Sequence, residues 1–333
     1  MNKIKYGIIG CGRIAQRHAH HIMHFGELVA CYDVVIEKAE KLANEFGAKS
    51  FGFLEEFFTA DMDVVAICSP NGLHAEHSIK SLNAGFHVIC EKPMAIKSSD
   101  CEEMITASKS VGKKLFVVKQ NRYNPAVAVV KEKITAGDLG KIYSVQLNCF
   151  WNRNEQYYNT SDWKGTKALD GGTLFTQFSH FIDLLYWMVG DIEAVNGLSA
   201  NAAHQGIIEF EDSGVLTVRF KNGAIGSINY TVNSHRRNME GSITLFGEKG
   251  TVKIGGQYLN SLDYQSWEGE EIGELPPGNP ANEYGEYQGS MSNHDKVYQN
   301  VTDVLTKNAE IATTGDEGKR VVEIIEMMYQ SMQ

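Results

Sequence analysis

The sequence predicts an α/β protein with two domains, which we place at residues 1–121 and 122–333. Short apolar strands alternate with helices through the first 120 residues, as in a doubly wound parallel sheet with right-handed crossovers. A glycine-rich turn joins the first of these strands to the first helix. From Ala194 onward strands dominate, and their alternating pattern predicts an α+β domain with an open, mostly antiparallel sheet.

The glycine-rich turn has the form of a dinucleotide-binding loop. After the strand Ile4–Ile9, the residues Gly10, Gly12 and Ala15 follow the G-x-G-x-x-A pattern. Gly10 permits a tight turn, Gly12 lets backbone N–H groups approach a pyrophosphate, and Ala15 keeps the helix close to the sheet. A helix N-terminus there favours phosphate. We therefore expect a Rossmann domain with the pyrophosphate over Gly10, Cys11, Gly12, Arg13 and Ile14.

An acidic residue predicts which nicotinamide cofactor the loop takes. Asp33 ends the second strand, Leu28–Tyr32, 21 residues beyond Gly12. Its carboxylate can accept hydrogen bonds from an adenosine ribose and would repel a 2′-phosphate. We therefore expect NAD rather than NADP.

The composition argues against several classes of binding partner and several cellular locations. The net charge of −10 disfavours nonspecific binding to nucleic acid or anionic lipid. No apolar run approaches the roughly 18 residues of a membrane span, and the first strand begins too early to leave room for a signal peptide. The six cysteines are scattered without a C-x-x-C, which favours reduced thiols in a cytoplasmic protein.

The remaining elements follow the same logic in chain order. The first domain continues with apolar strands and polar-faced helices, predicted at Asp63–Ser69, His74–Ala84, Phe86–Cys90, Ser99–Val111 and Leu115–Val118. The second domain is predicted to contain a helix, a long strand, an aromatic-rich helix, further strands and two final helices, at Pro125–Ala136, Ile142–Trp151, Thr173–Val189, Ser242–Phe246, Gly250–Ile254, Asp295–Lys307 and Gly318–Met332. We interpret the polar segment Gln257–Asn293 as a long surface excursion.

One hairpin stands out in the second domain. The strands Val215–Phe220 and Ala224–Val232 flank Asn222-Gly223, a pair that suits a type I′ turn. Too few helices follow this hairpin to cover a large sheet. We therefore expect the open face to form a subunit interface in a homodimer or homotetramer.

Lys92 is the first candidate for chemistry. Glu91-Lys92-Pro93 follows a strand of the parallel sheet, and ligands bind outside the carboxyl ends of such strands. A lysine there can hold a substrate hydroxyl by a charge-assisted hydrogen bond or shuttle its proton. The alternative is an exposed surface lysine. The position of Lys92 at the end of a strand argues against this alternative.

His180 is the second candidate. On one helix, a polar face would be formed by Thr173, Thr176, Gln177, His180 and Asp183. A polar stripe on an apolar helix needs a polar cavity, and imidazole is the usual base for a hydroxyl proton near neutral pH. A satisfied core histidine is the alternative.

A group of histidines on the first helix is weaker evidence. His18, His20, His21 and His24 have spacings that metal ligands sometimes show, but no acidic or cysteine partner accompanies them in the sequence. We expect no metal.

Four motifs together resemble the Gfo/Idh/MocA oxidoreductase family over nearly the whole chain: the glycine fingerprint, Glu91-Lys92-Pro93, Asn121-Arg122-Tyr123-Asn124-Pro125 and Gly171-Gly172…His180…Asp183. The resemblance implies an enzyme that transfers a hydride between NAD(P) and a sugar, cyclitol or nucleotide-linked sugar, bound between the two domains. It implies that Lys92 and His180 are the catalytic residues, that the bond from Lys92 to Pro93 is cis, and that further cofactor contacts come from Ser69, Pro70, Asn71, His74, Glu91, Lys92 and Gln120.

One departure from the family pattern narrows the range of expected substrates. Many members of the family carry an aspartate four residues before the histidine, where this chain has Thr176. The surrounding residues resemble the branch that oxidises UDP-N-acetylated sugars at C3, including the UDP-N-acetylglucosaminuronate 3-dehydrogenases of surface-polysaccharide synthesis. Cations and aromatic rings suit a diphosphate, a uronate and a sugar ring. We therefore expect substrate contacts from Lys92, Arg122, Tyr123, Arg153, Tyr158, Trp163, Thr176, Gln177 and His180.

Three alternatives stay open at this point. They are a free-sugar or polyol dehydrogenase, a glycosidase that uses NAD for transient oxidation, and a non-catalytic NAD sensor. The sequence leaves undetermined the sugar, the hydroxyl and the direction of the reaction. It also leaves open whether Lys92 or His180 is the base, and whether NADH is reoxidised in place.

Overall fold

The computed structural model describes residues 3–283 and 288–332, and these form two compact units. The first unit contains residues up to 119 together with 168–170 and 294–323. The second contains residues 120–167, 171–293 and 324 onward. Residues 294–323 thus pack with the first unit, whereas the sequence placed them with the second domain. The last helix contributes to both units.

The first unit is built on a parallel sheet. Within the described ranges the sheet has six strands in the order β3-β2-β1-β4-β5-β6. Its strands are β1 (Ile4–Ile9), β2 (Gly26–Tyr32), β3 (Lys49–Phe51), β4 (Val64–Ile67), β5 (His87–Cys90) and β6 (Leu115–Val117). β4 is buried along its whole length, as strands of a sheet with both faces covered must be. The chain order reverses between β1 and β4, which is the switch point where ligands bind in such sheets.

Helices cover this sheet. They are α1 (Arg13–Phe25), α2 (Ile36–Phe46), α3 (Leu54–Phe57), α4 (His74–Asn83), α5 (Ser98–Val111) and, from the end of the chain, α10 (His294–Lys307) and the start of α11 (Gly315–Ser331). The expected doubly wound domain is confirmed. No disulfide joins the six cysteines, all of which lie within the described residues.

The second unit is built on a mixed, mostly antiparallel sheet, as expected. In the described part of the chain it has seven strands in the order β13-β12-β11-β7-β10-β9-β8. These are β7 (Ile142–Phe150), β8 (Ile192–Ala200), β9 (Ser213–Phe220), β10 (Ile225–Thr231), β11 (Glu240–Gly247), β12 (Gly250–Gly255) and β13 (Ser261–Trp267). β7 and β10 pair in parallel at the centre, and their Cys149 and Tyr230 lie side by side in the core.

The helices of the second unit are α6 (Pro125–Ala136), α7 (Glu155–Tyr158), α8 (Thr173–Thr176), α9 (Ser179–Val189) and the end of α11. The sequence predicted one helix from Thr173 to Val189, and this is wrong at Gln177–Phe178. The N–H of Phe178 donates to the carbonyl of Thr173, five residues earlier, which widens the turn and ends α8. α9 then restarts, so that the predicted polar stripe does not lie on one continuous helix.

The hairpin of β9 and β10 forms, but its turn differs from the expected type I′. A type I′ turn needs a positive φ at both central residues. Here Gly223 has a φ of +89° and Asn222 does not. Phe220 N donates to Ala224 O, so the loop is three residues long with a left-handed glycine at its end. The Asn222 amide bonds to the Val189 carbonyl instead, and this anchors the loop to the end of α9.

The segment Gln257–Asn293, which we interpreted as a surface excursion, is partly built into the sheet. Its first part forms β13, an edge strand that pairs with β12. A second part forms the hairpin of β14 (Ala281–Glu283) and β15 (Gln288–Met291). Polar composition misled the prediction because an edge strand with one exposed face carries many polar residues. Residues 284–287 lie outside the described residues.

Within the described residues, one face of the second sheet is exposed along β8, β9 and β10. Leu198 and Val215 are cross-strand partners on this face and are 80% and 56% exposed. Ile225, on the next strand, is also exposed. Among the described residues, no helix has the length and apolar character that crossing a membrane would require.

Candidate active site

The glycine loop of the first unit has the geometry of a phosphate-binding turn. Gly10 has a φ of +88°, and its N–H donates to the carbonyl of Tyr32 at 2.8 Å. A Cβ at Gly10 would lie 2.6 Å from the backbone nitrogen of Ser69, so only glycine fits there. A Cβ at Gly12 would meet open space instead. Because α1 begins at Arg13, this open space lies at a helix N-terminus, where a pyrophosphate fits.

Asp33 organises the same loop. Its Oδ2 accepts a hydrogen bond from the Cys11 N–H at 2.8 Å, and its Oδ1 accepts one from the Val35 N–H at 2.9 Å. A carboxylate oxygen has more than one lone pair, so these bonds orient the carboxylate and leave acceptor capacity for ribose hydroxyls. The predicted ribose acceptor therefore lies beside the predicted phosphate turn.

The loop after β4 is held by histidines. His74 is buried, with Nδ1 2.7 Å from the Pro93 carbonyl and Nε2 2.9 Å from the Ser69 carbonyl. His77 Nδ1 lies 2.9 Å from the Ser69 hydroxyl, and burial lowers the pKa of His77 to about 4. The Asn71 amide donates to the Asp170 carbonyl. His74 and Asn71 thus tie backbone segments together, while Ser69 and Pro70 are half-buried.

Lys92 lies at the carboxyl end of β5, as predicted, and is half-buried. The Lys92–Pro93 peptide bond is cis. The Lys92 N–H donates to Glu91 Oε2 at 3.0 Å, and the Glu91 N–H donates to the Ile67 carbonyl of β4. The backbone that carries Lys92 is therefore fixed to the neighbouring strand and to the Glu91 side chain.

Glu91 has buried partners that the sequence did not indicate. Its Oε1 lies 2.9 Å from His18 Nε2 and 3.0 Å from His294 Nε2. His18 Nδ1 lies 2.7 Å from the hydroxyl of Tyr298, which is wholly buried. No acidic partner for the histidines of α1 was evident in the sequence, and this is wrong for His18, which contacts Glu91. The ligand atoms of His18, Glu91 and His294 lie within 4.8 Å of one another.

His180 lies in the first turn of α9 in the second unit and is 4% exposed. Its Nε2 is 3.4 Å from Nε2 of Gln120, whose amide also donates to the Ser290 hydroxyl. Gln120 opens a short helical turn, Gln120–Tyr123, that packs beside α9. The imidazole is therefore held in a polar part of the interior.

Two arginines predicted to bind substrate are engaged within the second unit. Arg122 forms a two-point ion pair with Asp183. Arg153 donates from Nε to Gln177 Oε1 at 2.9 Å and from a terminal nitrogen to Asn238 Oδ1 at 3.1 Å. Both arginines are at least nine-tenths buried.

Aromatic rings surround Arg153. Its guanidinium carbon lies 5.0 Å from the ring centre of Trp151 and 5.1 Å from that of Tyr157. Lys164 Nζ lies 4.1 Å from the centre of the Tyr157 ring. Gln177 links the group, since its amide donates to the Tyr157 hydroxyl at 2.8 Å. The structure thus brings Arg153 and Gln177, both predicted to bind substrate, together with aromatic rings. Tyr158 is buried beside them, and partly buried positions are taken by Tyr123, Trp163 and Thr176.

Two family models match the chain. The first, described as the oxidoreductase family NAD-binding Rossmann fold, matches residues 4–119. The second, described as the oxidoreductase family C-terminal alpha/beta domain, matches residues 131–333. The chain belongs to the Gfo/Idh/MocA family. It is an NAD-dependent oxidoreductase, so the expected enzyme class and cofactor are confirmed.

Family members of known structure are similar over the whole length. The WlbA dehydrogenase from Bordetella pertussis, solved with NADH and UDP-GlcNAcA, is 36% identical, with a TM-score of 0.90 over 99% of this chain and 96% of that one. The WlbA dehydrogenase from Chromobacterium violaceum, solved with the same two ligands, is 34% identical, with a TM-score of 0.90 over 99% and 94% of the two chains.

Other family members differ in the substrate that they are named for. The levoglucosan dehydrogenase of Pseudarthrobacter phenanthrenivorans is 30% identical over 287 residues, which are 76% of this chain and 73% of the relative. An uncharacterised oxidoreductase of Streptococcus pneumoniae is also 30% identical, over 80% of this chain. Membership of the Gfo/Idh/MocA family therefore fixes the reaction class more firmly than the substrate.

Several residues of the site region were given no site role in the prediction from sequence. His294 and Tyr298 were assigned only to a terminal helix, and His18 only to a weak metal pattern. Asn121 is 2% exposed, and neither of its side-chain polar atoms has a hydrogen-bond partner among the described residues. A buried amide without partners is costly, which marks Asn121 as a residue of interest. The signal for it in the sequence was its position between Gln120 and Arg122, two predicted site residues.

Proposed function

We propose that this protein oxidises a secondary hydroxyl, at C3, of a UDP-linked N-acetylated sugar or its uronate, with NAD as oxidant, in surface-polysaccharide biosynthesis. The main support is the similarity to the two WlbA dehydrogenases solved with NADH and UDP-GlcNAcA, which exceeds 30% identity over 99% of the chain. The levoglucosan dehydrogenase structure with levoglucosan is 25% identical at a TM-score of 0.83.

The geometry of the first unit supports the cofactor part of this proposal. Bound NAD would supply the acceptor for the hydride that leaves the substrate carbon. The open space at Gly12 and the start of α1 would hold its pyrophosphate, and Asp33 would accept from its ribose. Lys92, at the end of β5, is expected at the carboxyl edge of the sheet where the reaction takes place.

We assign removal of the substrate proton to one of two residues. His180 or Lys92 removes the hydroxyl proton of the substrate, and Lys92 stabilises the alkoxide that develops in the transition state. The Gln120 amide lies 3.4 Å from His180 Nε2 and contacts the imidazole. Only a neutral imidazole can accept the substrate proton.

The group around Arg153 supports a nucleotide-linked substrate. A buried guanidinium between two rings, with Gln177 fixed against it, offers charge, hydrogen bonds and stacking surfaces in one place. We propose that substrate contacts come from Arg153, Gln177, Tyr158, Trp163, Thr176, Tyr123 and Arg122.

The substrate is tested by incubating the purified protein and NAD with UDP-N-acetylglucosaminuronate and, in parallel, with free sugars and polyols. Absorbance of NADH is followed. Turnover on the UDP-sugar with kcat/KM at least about tenfold above that on every free sugar supports the proposal. Turnover on free sugars alone favours the polyol-dehydrogenase alternative, and binding of NADH without turnover on any sugar favours an NAD sensor. Product that is cleaved at a glycosidic bond favours the glycosidase alternative.

We also propose that the exposed face of the second sheet joins subunits in a homodimer or homotetramer. Leu198, Val215 and Ile225 expose apolar side chains on adjacent strands of this face, and such exposure commonly marks an interface. Light scattering after gel filtration tests this. The natural protein is expected to have a multiple of the chain mass, and a Leu198→Lys/Val215→Lys variant a lower one. A monomeric mass for the natural protein at micromolar concentration contradicts the proposal.

A further inference from the structure

We propose that His18 and His294 are positioning residues for Lys92, acting through the Glu91 carboxylate to which both are bonded. This inference rests on the proposed catalytic role of Lys92 and adds residues from two distant parts of the chain to it. All of them belong to the first unit. No role was expected for His294, which lies 203 residues from Glu91.

The hydrogen bonds have one consistent arrangement of protons. The Lys92 N–H can only donate, so Glu91 Oε2 accepts at 3.0 Å. An ionised Oε1 also only accepts, so both Nε2 atoms of His18 and His294 carry the hydrogen. When the His18 ring is neutral, its Nδ1 accepts from the Tyr298 hydroxyl at 2.7 Å.

The charge state agrees with this arrangement. Hydrogen bonds from the two imidazoles hold the pKa of Glu91 well below its usual range although burial opposes this. Burial lowers the pKa of His294, so its ring is neutral and donates only from Nε2. A single buried carboxylate is thus stabilised by three donors, an arrangement that strongly favours the ionised form.

The consequence concerns the backbone of Lys92. A carboxylate with one oxygen fixed by two rings cannot rotate, so its second oxygen presents a fixed acceptor to the Lys92 N–H. On the far side of Lys92, the Pro93 carbonyl lies 2.7 Å from His74 Nδ1, and it accepts a hydrogen bond when the ring carries its hydrogen on that nitrogen. The peptide that carries the lysine is therefore fixed from both sides. A lysine displaced by about 1 Å would lose on the order of a hundredfold in rate.

A metal ion is the competing interpretation of His18, Glu91 and His294. Two histidines and a glutamate are a known zinc ligand set. However, a metal would take the lone pairs of both Nε2 atoms, and the direct contacts of 2.9 and 3.0 Å to one carboxylate oxygen have the length of hydrogen bonds. The bond from Lys92 to Glu91 needs no metal. We therefore favour positioning, and metal content becomes an outcome of the test.

The experiment compares leucine and glutamine at both histidines. His18→Leu and His294→Leu remove a donor, whereas His18→Gln and His294→Gln keep an N–H in a similar place. Tyr298→Phe is a milder change, because it removes only the donor to His18. His87→Leu is the matched control, since His87 lies at the other end of β5 and accepts one hydrogen bond from the Lys114 N–H.

Three readouts are measured: kcat on the best substrate of the panel, the Kd of NADH, and amide hydrogen exchange across residues 86–95. We expect each leucine variant to lose about tenfold or more in kcat with the Kd within about twofold, because the lysine and not the cofactor turn is displaced. Exchange at the Lys92 amide is expected to rise about tenfold. The glutamine variants are expected to recover most of both losses, Tyr298→Phe to lose less than either leucine variant, and His87→Leu to match the natural protein.

Unchanged exchange at Lys92 in the leucine variants, or in Tyr298→Phe if they do not fold, overturns the inference. So does equal loss in the leucine and glutamine variants, or a stoichiometric metal in the purified protein. If the natural protein turns over no sugar, the proposed function fails, and hydrogen exchange alone still decides whether His18 and His294 hold the Lys92 backbone.

Discussion

Arg122 and Asp183 form a fork-shaped ion pair in the interior of the second unit. Arg122 Nε donates to Asp183 Oδ2 at 2.9 Å, and a terminal nitrogen donates to Oδ1 at 2.8 Å. The guanidinium also lies 5.1 Å from the ring centre of Trp187. The pair joins the turn at Gln120–Tyr123 to α9, the helix that carries His180. Asp183 was predicted as part of a polar stripe facing a cavity, and its observed partner is an arginine.

Breaking this pair is expected to destabilise the fold. Asp183→Asn leaves the Arg122 charge buried without its counter-charge, and such a change costs about 3–5 kcal/mol in free energy of unfolding. Urea unfolding measures this. Arg122→Met/Asp183→Leu removes both charges and is expected to recover much of the loss. A single variant as stable as the natural protein contradicts a structural role for the pair.

Asp33 is expected to set the cofactor preference. Asp33→Ala and Asp33→Asn remove the negative charge that would repel a 2′-phosphate, so the ratio of kcat/KM for NAD to that for NADP should fall by about tenfold or more. Steady-state rates with each cofactor measure the ratio. Because Asp33 also accepts from the Cys11 and Val35 N–H groups, melting curves of both variants check that the loop persists. A ratio unchanged in both would remove Asp33 from this role.

Glu211 is expected to make stability depend on pH. Burial raises its pKa from 4.5 to about 7, although the hydroxyls of Tyr329 and Tyr230 donate to its Oε1. Between these pH values the folded protein keeps a proton that the unfolded chain has lost, so stability falls as pH rises from about 4.5 to 7.

The size of the effect follows from the shift in the pKa of Glu211. At pH 8 the penalty is roughly 3 kcal/mol relative to pH 4, at about 1.4 kcal/mol per pH unit. Glu211→Gln keeps an acceptor for the tyrosines and should abolish this part of the slope. Urea unfolding at pH 5, 6, 7 and 8 compares the two proteins. Parallel pH curves for the natural protein and the variant would show that Glu211 ionises normally.

The sequence predicted best what is local. The β1 strand, the turn at Gly10 and helix α1 are adjacent in the chain, and each residue of the fingerprint has a steric or electrostatic reason that holds without the rest of the fold. The position of Lys92 could be predicted because ligands bind outside the carboxyl ends of strands in a parallel sheet. Helix α6 was predicted at its observed bounds because Pro125 begins it and Gly137 ends it.

What the sequence could not predict depends on distant partners. Glu91 contacts His18 and His294, which are 73 and 203 residues away in the chain, and no local sequence pattern predicts these contacts. The break before α9 arises where the Phe178 N–H reaches back to Thr173, although the apolar run through that region is typical of a continuous helix. Tertiary packing overrides local propensity in such cases.

We propose that Lys92 and His180 carry out the proton transfer and stabilise the developing charge in an NAD-dependent oxidation. One measurement tests it directly: kcat and NADH affinity of Lys92→Ala and His180→Ala, with Lys109→Ala on the surface as control. We predict that both variants lose about a hundredfold or more in kcat on the UDP-sugar and bind NADH within about twofold of the natural protein. Normal turnover by both variants would contradict a catalytic role for Lys92 and His180.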